Sequence, residues 1–247
     1  MRTHFDVTVK PTIAAGKQAG GAFTAGNILF DWTAFDVPKG SSRLLNVTAL
    51  IRGTDGADQS ATGADLELFF AKSIDGVAPI TLGDLHDPVD TPGWFNNIIG
   101  MQYLDFSANA IGSSDDLVFM HLMQMGNRGG GPDLVLTGEP DSGTNVGFDT
   151  IYVAGIAQGN YDFRTNVICD GIQPTTQNVL TVKTGSALNT YAVGDVIHDQ
   201  DDRLLGTVVS MDGATQMTMA ANLANATVNN KETHNLNPIT LKFSFEK

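Results

Sequence analysis

The sequence predicts an all-β chain: an antiparallel β-sandwich that carries a small β module near its C-terminal end. Three observations support this. Apolar and polar residues alternate with period two near both ends of the chain, as in a strand with one dry and one wet face. Four interior runs are apolar on both faces and rich in β-branched and aromatic residues, as in strands covered on both sides. Glycine is abundant, at 27 of 247 residues, and with Asn and Asp it breaks the chain at short intervals, favouring turns over long helices.

Taken in order, Phe5, Val7 and Val9 fall on one face of the first strand, and Asp6, Thr8 and Lys10 on the other. The runs at 44–52, 66–71, 117–125 and 151–157 then read as central strands. The third is rich in Leu and Met, which also suit a helix, so strand is the preferred of two readings there. A single short helix is expected near 92–100, with Thr91 able to cap it and Pro92 suited to its first turn. Residues 53–63 and 126–147 are Gly-, Asp- and Ser-rich and read as long surface loops.

After about residue 165 the texture changes to short strand signals at 179–182, 195–198, 204–210 and 216–219. Asp212-Gly213 between the last two marks a hairpin. The final run alternates Ile239, Leu241, Phe243 and Phe245 with polar residues, in the manner of the first half. The expected organisation is therefore a sandwich from 1–165 completed by 238–247, with 166–237 inserted as a small β-barrel or β-roll module. The last strand is expected to pair antiparallel with 151–157.

Composition narrows the function. There are 14 Lys and Arg against 27 Asp and Glu, a net charge of −13, which repels a phosphate backbone and argues against a nucleic-acid partner. No apolar run approaches the roughly 18 residues that a spanning helix needs, so no membrane partner is expected. The first ten residues alternate without a continuous apolar stretch, so no leader is expected and synthesis is placed in a cytoplasm. Cys169 is the single cysteine, which excludes an intrachain disulfide and a cysteine-based zinc cluster.

Candidate chemistry is sparse. Asp55/Asp58, Asp84/Asp87/Asp90, Asp115/Asp116 and Asp199/Asp201/Asp202 offer paired carboxylates, but none has calcium-loop spacing, and turn formation explains each. His4, His86, His121, His198 and His234 are scattered without a metal-binding spacing, and His121, inside an apolar run, reads as a hydrogen-bonded core histidine. Gly126–Gly131 lacks the ending of a phosphate loop. No catalytic residue, cofactor site or metal site is expected, and the chain does not read as an enzyme. Trp94, Phe95 and Arg128 are the candidate partner contacts, since aromatic and Arg side chains on loops anchor interfaces.

One resemblance adds to this reading. The segments Phe5–Val9, Ala22–Phe30, Ser42–Ile51 and Ala64–Phe70, closed by Ile151–Ile156 and Ile239–Phe245, resemble small virion structural proteins of tailed phages and marine viruses. The segments Val193–Ile197 and Leu205–Val209 are similar to barrel modules that phage structural proteins carry as additions. The resemblance implies a jelly-roll-like sandwich on the outer surface of a virion. There it would act as a capsid decoration, or cement, protein whose partners are the major capsid protein and its own copies in a homotrimer. A fibre, spike or glycan-binding receptor module of the virion is the alternative. The family defines no residue-level binding site.

Overall fold

The computed structural model describes residues 3–52, 64–90, 92–106, 110–114, 117–123, 134–140, 148–184 and 187–247, without the side chains of 110–114, 117–120, 122–123, 139–140, 184 and 189. The alternating ends of the chain form strands that lie side by side. Phe5, Val7 and Val9 of β1 (His4–Val9) sit opposite Phe245, Phe243 and Leu241 of β17 (Ile239–Glu246) in antiparallel register. Opposite residues share a face, so all six turn toward one core. On its other side β17 pairs with β3 (Ser42–Arg52), placing Phe243 against Val47 and Leu241 against Ala49.

β3 then pairs with β7 (Leu117–Met123), and β7 with β6 (Ala110–Ser114); β8 (Leu134–Leu136) continues beside the start of β3. The 117–125 run is thus a strand. The facing sheet is β2 (Ile28–Pro38), β10 (Phe148–Ala157), β4 (Leu66–Lys72) and β5 (Ile98–Leu104), with β9 (Glu139–Pro140) beside β10.

Numbering the eight long strands β1, β2, β3, β4, β5, β7, β10 and β17 from first to eighth gives neighbour orders 1-8-3-6 and 2-7-4-5. Two antiparallel sheets wound in that order are a jelly roll. The order also corrects one expectation: 151–157 does not pair with the last strand. It lies in the opposite sheet between β2 and β4, while β17 closes the first sheet between β1 and β3. Alternation marks which face of a strand is dry and leaves its neighbour open.

The main core fills the space between the sheets, where Phe35, Phe70, Phe243 and Phe245 meet with ring centroids 5.3–6.3 Å apart. A smaller apolar cluster lies beyond the second sheet, formed by Ile28, Ala154 and Ile156 of its strands with Leu82 and Trp94 from the chain between β4 and β5. This explains why β10 is apolar on both faces. The expected helix near 92–100 is a two-turn 3₁₀ segment, Pro92–Asn97. It stops because Ile98, a β-branched residue, begins β5 and pairs with Ala71.

The later strands form a separate sheet in the order β11 (Ile168–Cys169), β12 (Val179–Thr184), β15 (Gln216–Met219), β14 (Leu204–Gly213), β13 (Val196–Asp199) and β16 (Thr233–Asn235). An antiparallel bridge between Ile168 and Glu232 joins its two ends, closing a small barrel. Its core of Val167, Leu180, Val182, Ile197, Met217 and their neighbours shares no residue with that of the sandwich. Two short helices lie wholly among the described residues: α1 (Ala15–Ala19), between β1 and β2, and α2 (Ala187–Thr190), within the module.

Candidate functional site

Two places stand out, an apolar surface on the sandwich and a polar joint between sandwich and module. The surface is built by the excursion from β4 to β5. Trp94 is only 5% exposed and is clamped by Trp32 and Phe69, at centroid distances of 6.3 and 5.6 Å. The Trp32 indole N–H donates to the Ile80 carbonyl at 2.8 Å. The adjacent Phe95 lies against Trp94 at 4.4 Å yet is 62% exposed.

Of the two aromatic candidates read from sequence, Phe95 therefore presents its ring to solvent, and Trp94 holds it in place. Ile74, Val77 and Ile80 are also exposed on this excursion, and Ile80 packs against Gly93, where an added Cβ would fall 2.6 Å from its terminal carbon. Asp75, Asp84, Asp87 and Asp90 are exposed around them. No Lys or Arg occurs in the sequence from 73 to 127, although Lys72 borders the excursion and Lys17 reaches the Leu85 carbonyl at 3.2 Å. Arg128, the third candidate, and the Asp55/Asp58 and Asp115/Asp116 pairs lie outside the described residues.

The joint is assembled from residues far apart in sequence. Gln18 of α1 is fully buried; its side-chain amide donates to the carbonyls of Ile13 at 2.7 Å and of Asn235 at 2.8 Å, and its oxygen accepts from Arg52 Nη2 at 3.1 Å. Ile13 N–H donates to the Leu236 carbonyl, Gly16 N–H to Asp202 Oδ1, and Asn237 Nδ2 to the carbonyls of Lys10 and Pro11. The cleft beside these bonds measures about 340 Å³ and is lined by Lys10, Arg52, Asp195, Asn235, Asn237 and Thr240, among others.

Arg52 Nε and Nη1 are sealed from solvent and have no acceptor. Burial lowers the guanidinium's pKa, against the pull of Tyr191 and Asp195. His234, on β16, is fully buried and neither ring nitrogen makes a hydrogen bond, although Glu232 Oε2 lies 3.3 Å from Nε2. Burial drives the imidazole's pKa down; Glu232 opposes this, and the Arg52 charge adds to it. Tyr191 donates to the Thr233 carbonyl, and burial pushes its phenol up to about 12.

Of these joint residues only Asp202 and His234 were weighed in the sequence, and both were set aside, the one as a turn former and the other as a scattered histidine. The one available signal was an Arg closing an otherwise apolar strand at Leu50-Ile51-Arg52.

Asp199, His121, His86 and Cys169 are each engaged or buried within the fold. Asp199 is buried; it accepts from Arg203 Nε at 2.8 Å and from the backbone of Asp201 and Arg203. His121 Nδ1 lies 2.6 Å from Thr48 Oγ1, half-buried on the sheet. His86 stacks on Phe23 at 3.7 Å. Cys169 is buried, which raises its thiol to about 12 and leaves it protonated and unreactive. Among the described residues no three His, Cys, Asp or Glu side chains come together as a metal site, and no helix is long and apolar enough to cross a membrane.

The class defined by these features is a jelly-roll β-sandwich with an inserted small barrel. No family model matches the chain, and no curated protein does. Among solved structures, one match is titled "Structure of infectious bursal disease virus Gx strain". It is 9% identical with a TM-score of 0.19, and the match covers 99% of this chain and 40% of that one. Overlap at that level carries no weight for fold or function.

Proposed function

We propose that this chain is a virion structural protein that binds the outside of a capsid head shell and stabilises it. The observation that carries the reading is the apolar excursion: Ile74, Val77, Ile80 and Phe95 are all exposed on the one stretch of chain between β4 and β5, with Phe95 held from beneath by Trp94. Exposed apolar residues grouped in this way mark contact surfaces. Jelly rolls serve as viral capsid domains as well as lectins and cupins, so the fold is compatible with the role and the contact surface carries the argument.

The partner is a major capsid protein whose facing surface is apolar with a basic rim, complementary to Asp75, Asp84, Asp87 and Asp90. Contacts repeated on one closed shell add through multivalency, so each can be weak. Self-association as a homotrimer belongs to the same proposal and is read from the mass in solution.

Purified chain mixed with expanded heads at micromolar concentration is expected to bind them and to raise their temperature of disruption. Replacing Phe95 and Ile80 together by Ser is expected to abolish both effects; wild-type protein that leaves heads unbound would overturn the reading. A second reading, a glycan-binding module of the virion, draws on the exposed Phe95 and on Tyr103, whose hydroxyl donates to Asp65 Oδ2 at 2.5 Å. A glycan array separates the two.

A further inference from the structure

We propose that the joint between sandwich and barrel is an acid-sensitive latch: proton uptake by His234 beside Arg52 releases the module from the sandwich while both stay folded. The two apolar cores share no residue, so neither has to be opened when the joint parts. What crosses the joint is polar, chiefly the Gln18, Ile13, Gly16 and Asn237 hydrogen bonds, with Arg52 bracing Gln18 from the sandwich side. A joint of this kind depends on every buried donor finding an acceptor.

Arg52 already fails that condition, with two donors unmet. Neutral His234 carries one N–H, whereas the imidazolium carries two and a positive charge. The groups that act on the ring are few. From β3 comes Arg52, a cation. From its own strand region comes Glu232, 3.3 Å from Nε2 and also accepting from Thr165 N–H at 3.2 Å. From the turn before β14 comes Asp202, which holds the Gly16 amide. His198 of β13 lies opposite in the register, and Tyr191, which remains neutral, and Asp195 act on Arg52.

Glu232 can meet one ring nitrogen. The other then becomes a buried donor with no acceptor, and the new charge faces a guanidinium that is itself unpaired. Opening the cleft admits water to both cations, so acid favours the open joint. The proposal is independent of what the sandwich surface binds.

Amide hydrogen exchange on the full chain tests it. The amides of Ile13 and Gly16 donate across the joint to Leu236 and Asp202, while those of Phe23 and Met219 donate within the sandwich and within the barrel. From about pH 7.5 to about pH 5, after correction for intrinsic exchange, protection at Ile13 and Gly16 is expected to fall at least about tenfold. Protection at Phe23 and Met219 is expected to hold. His234→Gln should remove the fall, and Arg52→Met, which takes away the second cation, should shift it to lower pH. Unchanged protection in the wild type, an equal fall at all four amides, or a fall that persists in His234→Gln would each overturn the latch. If His234→Gln fails to fold, the Arg52→Met shift decides the matter, and its absence counts against the proposal.

Discussion

Gly155 shows how much a single missing side chain can fix. It lies opposite Phe30 in the pairing of β10 with β2, and an added Cβ would sit 2.2 Å from that ring. Phe30 is itself fully buried, so the ring cannot swing into water. Gly155→Ala is expected to destabilise the chain by about 1–3 kcal/mol through overpacking, read as a lower urea midpoint at unchanged slope. Adding Phe30→Leu should recover part of the loss.

Two buried ionisable groups give the chain opposite pH dependences. His234 has a folded pKa below its ordinary 6.5, so the unfolded chain takes up the proton first as the pH falls. Its contribution is complete above that value and is lost on acidification. Cys169 has its thiol raised from 9.0 to about 12, so the unfolded chain loses its proton first as the pH rises, and stability declines above about pH 9. Urea midpoints across the pH range are expected to form a dome. His234→Gln should lessen the acid-side fall, and Cys169→Ala should move the onset of the alkaline fall upward from about pH 9, to the range where buried Tyr161 and Tyr191 contribute in the same sense. In the native state Cys169 is expected to resist a thiol reagent and to react only as fast as the barrel opens.

At the scale of elements, β17 is the piece on which the sandwich depends most. It lies between β1 and β3, and its Phe243 meets Phe35 at 5.3 Å and Phe70 at 5.4 Å across the gap between sheets. Phe243→Ala is expected to cost about 3–5 kcal/mol, measured by denaturant unfolding. A loss below about 1 kcal/mol, a typical figure for a site that can collapse or stay wet, would mean the core is not closed by this strand. By contrast, the 92–97 segment contributes through Trp94, buried against the second sheet, and through Asn97, whose side-chain amide donates to the Lys72 carbonyl at 2.8 Å, while Phe95 faces water. A lost Phe95 ring should leave folding stability nearly unchanged and appear only in partner binding.

For the molecule as a whole, the barrel is separable. Every residue of the sandwich core lies at or before 163 or at or after 239, and Ile168 and Glu232, close to where the chain enters and leaves the module, face each other across an antiparallel bridge. Replacing 169–231 by an Asn-Gly turn, which suits a two-residue hairpin, is expected to leave a sandwich that unfolds cooperatively and keeps its β-rich circular dichroism. Failure of this shortened chain to fold would show that the joint supplies stability and does more than fasten the module.

Much of the fold could be read from the sequence. Phe5, Val7 and Val9 and the run from Ile239 to Phe245 announced strands by their alternation, and the doubly apolar 151–157 announced a strand covered on both sides, which the Trp94 cluster supplies. The joint was hidden. Gln18 bonds to Asn235 across 217 positions, and Arg52 reaches Gln18 across 34; only Arg52 interrupts a local pattern, and nothing in that pattern names its partners.

What the sequence determined by itself was the strands at the two ends and the apolar runs between them, the face an alternating strand keeps dry and the change of texture where the barrel begins, because side-chain direction repeats every two residues and needs no partner to be expressed. β5, begun within the expected 92–100 helix, and β8 and β9, within the expected 126–147 loop, were not read. The order 1-8-3-6 against 2-7-4-5, and the enclosure of Arg52 beside His234, were decided only in three dimensions. Which strand lies next to which, and which polar groups end up without water, follow from how loops close and sheets twist over the whole chain.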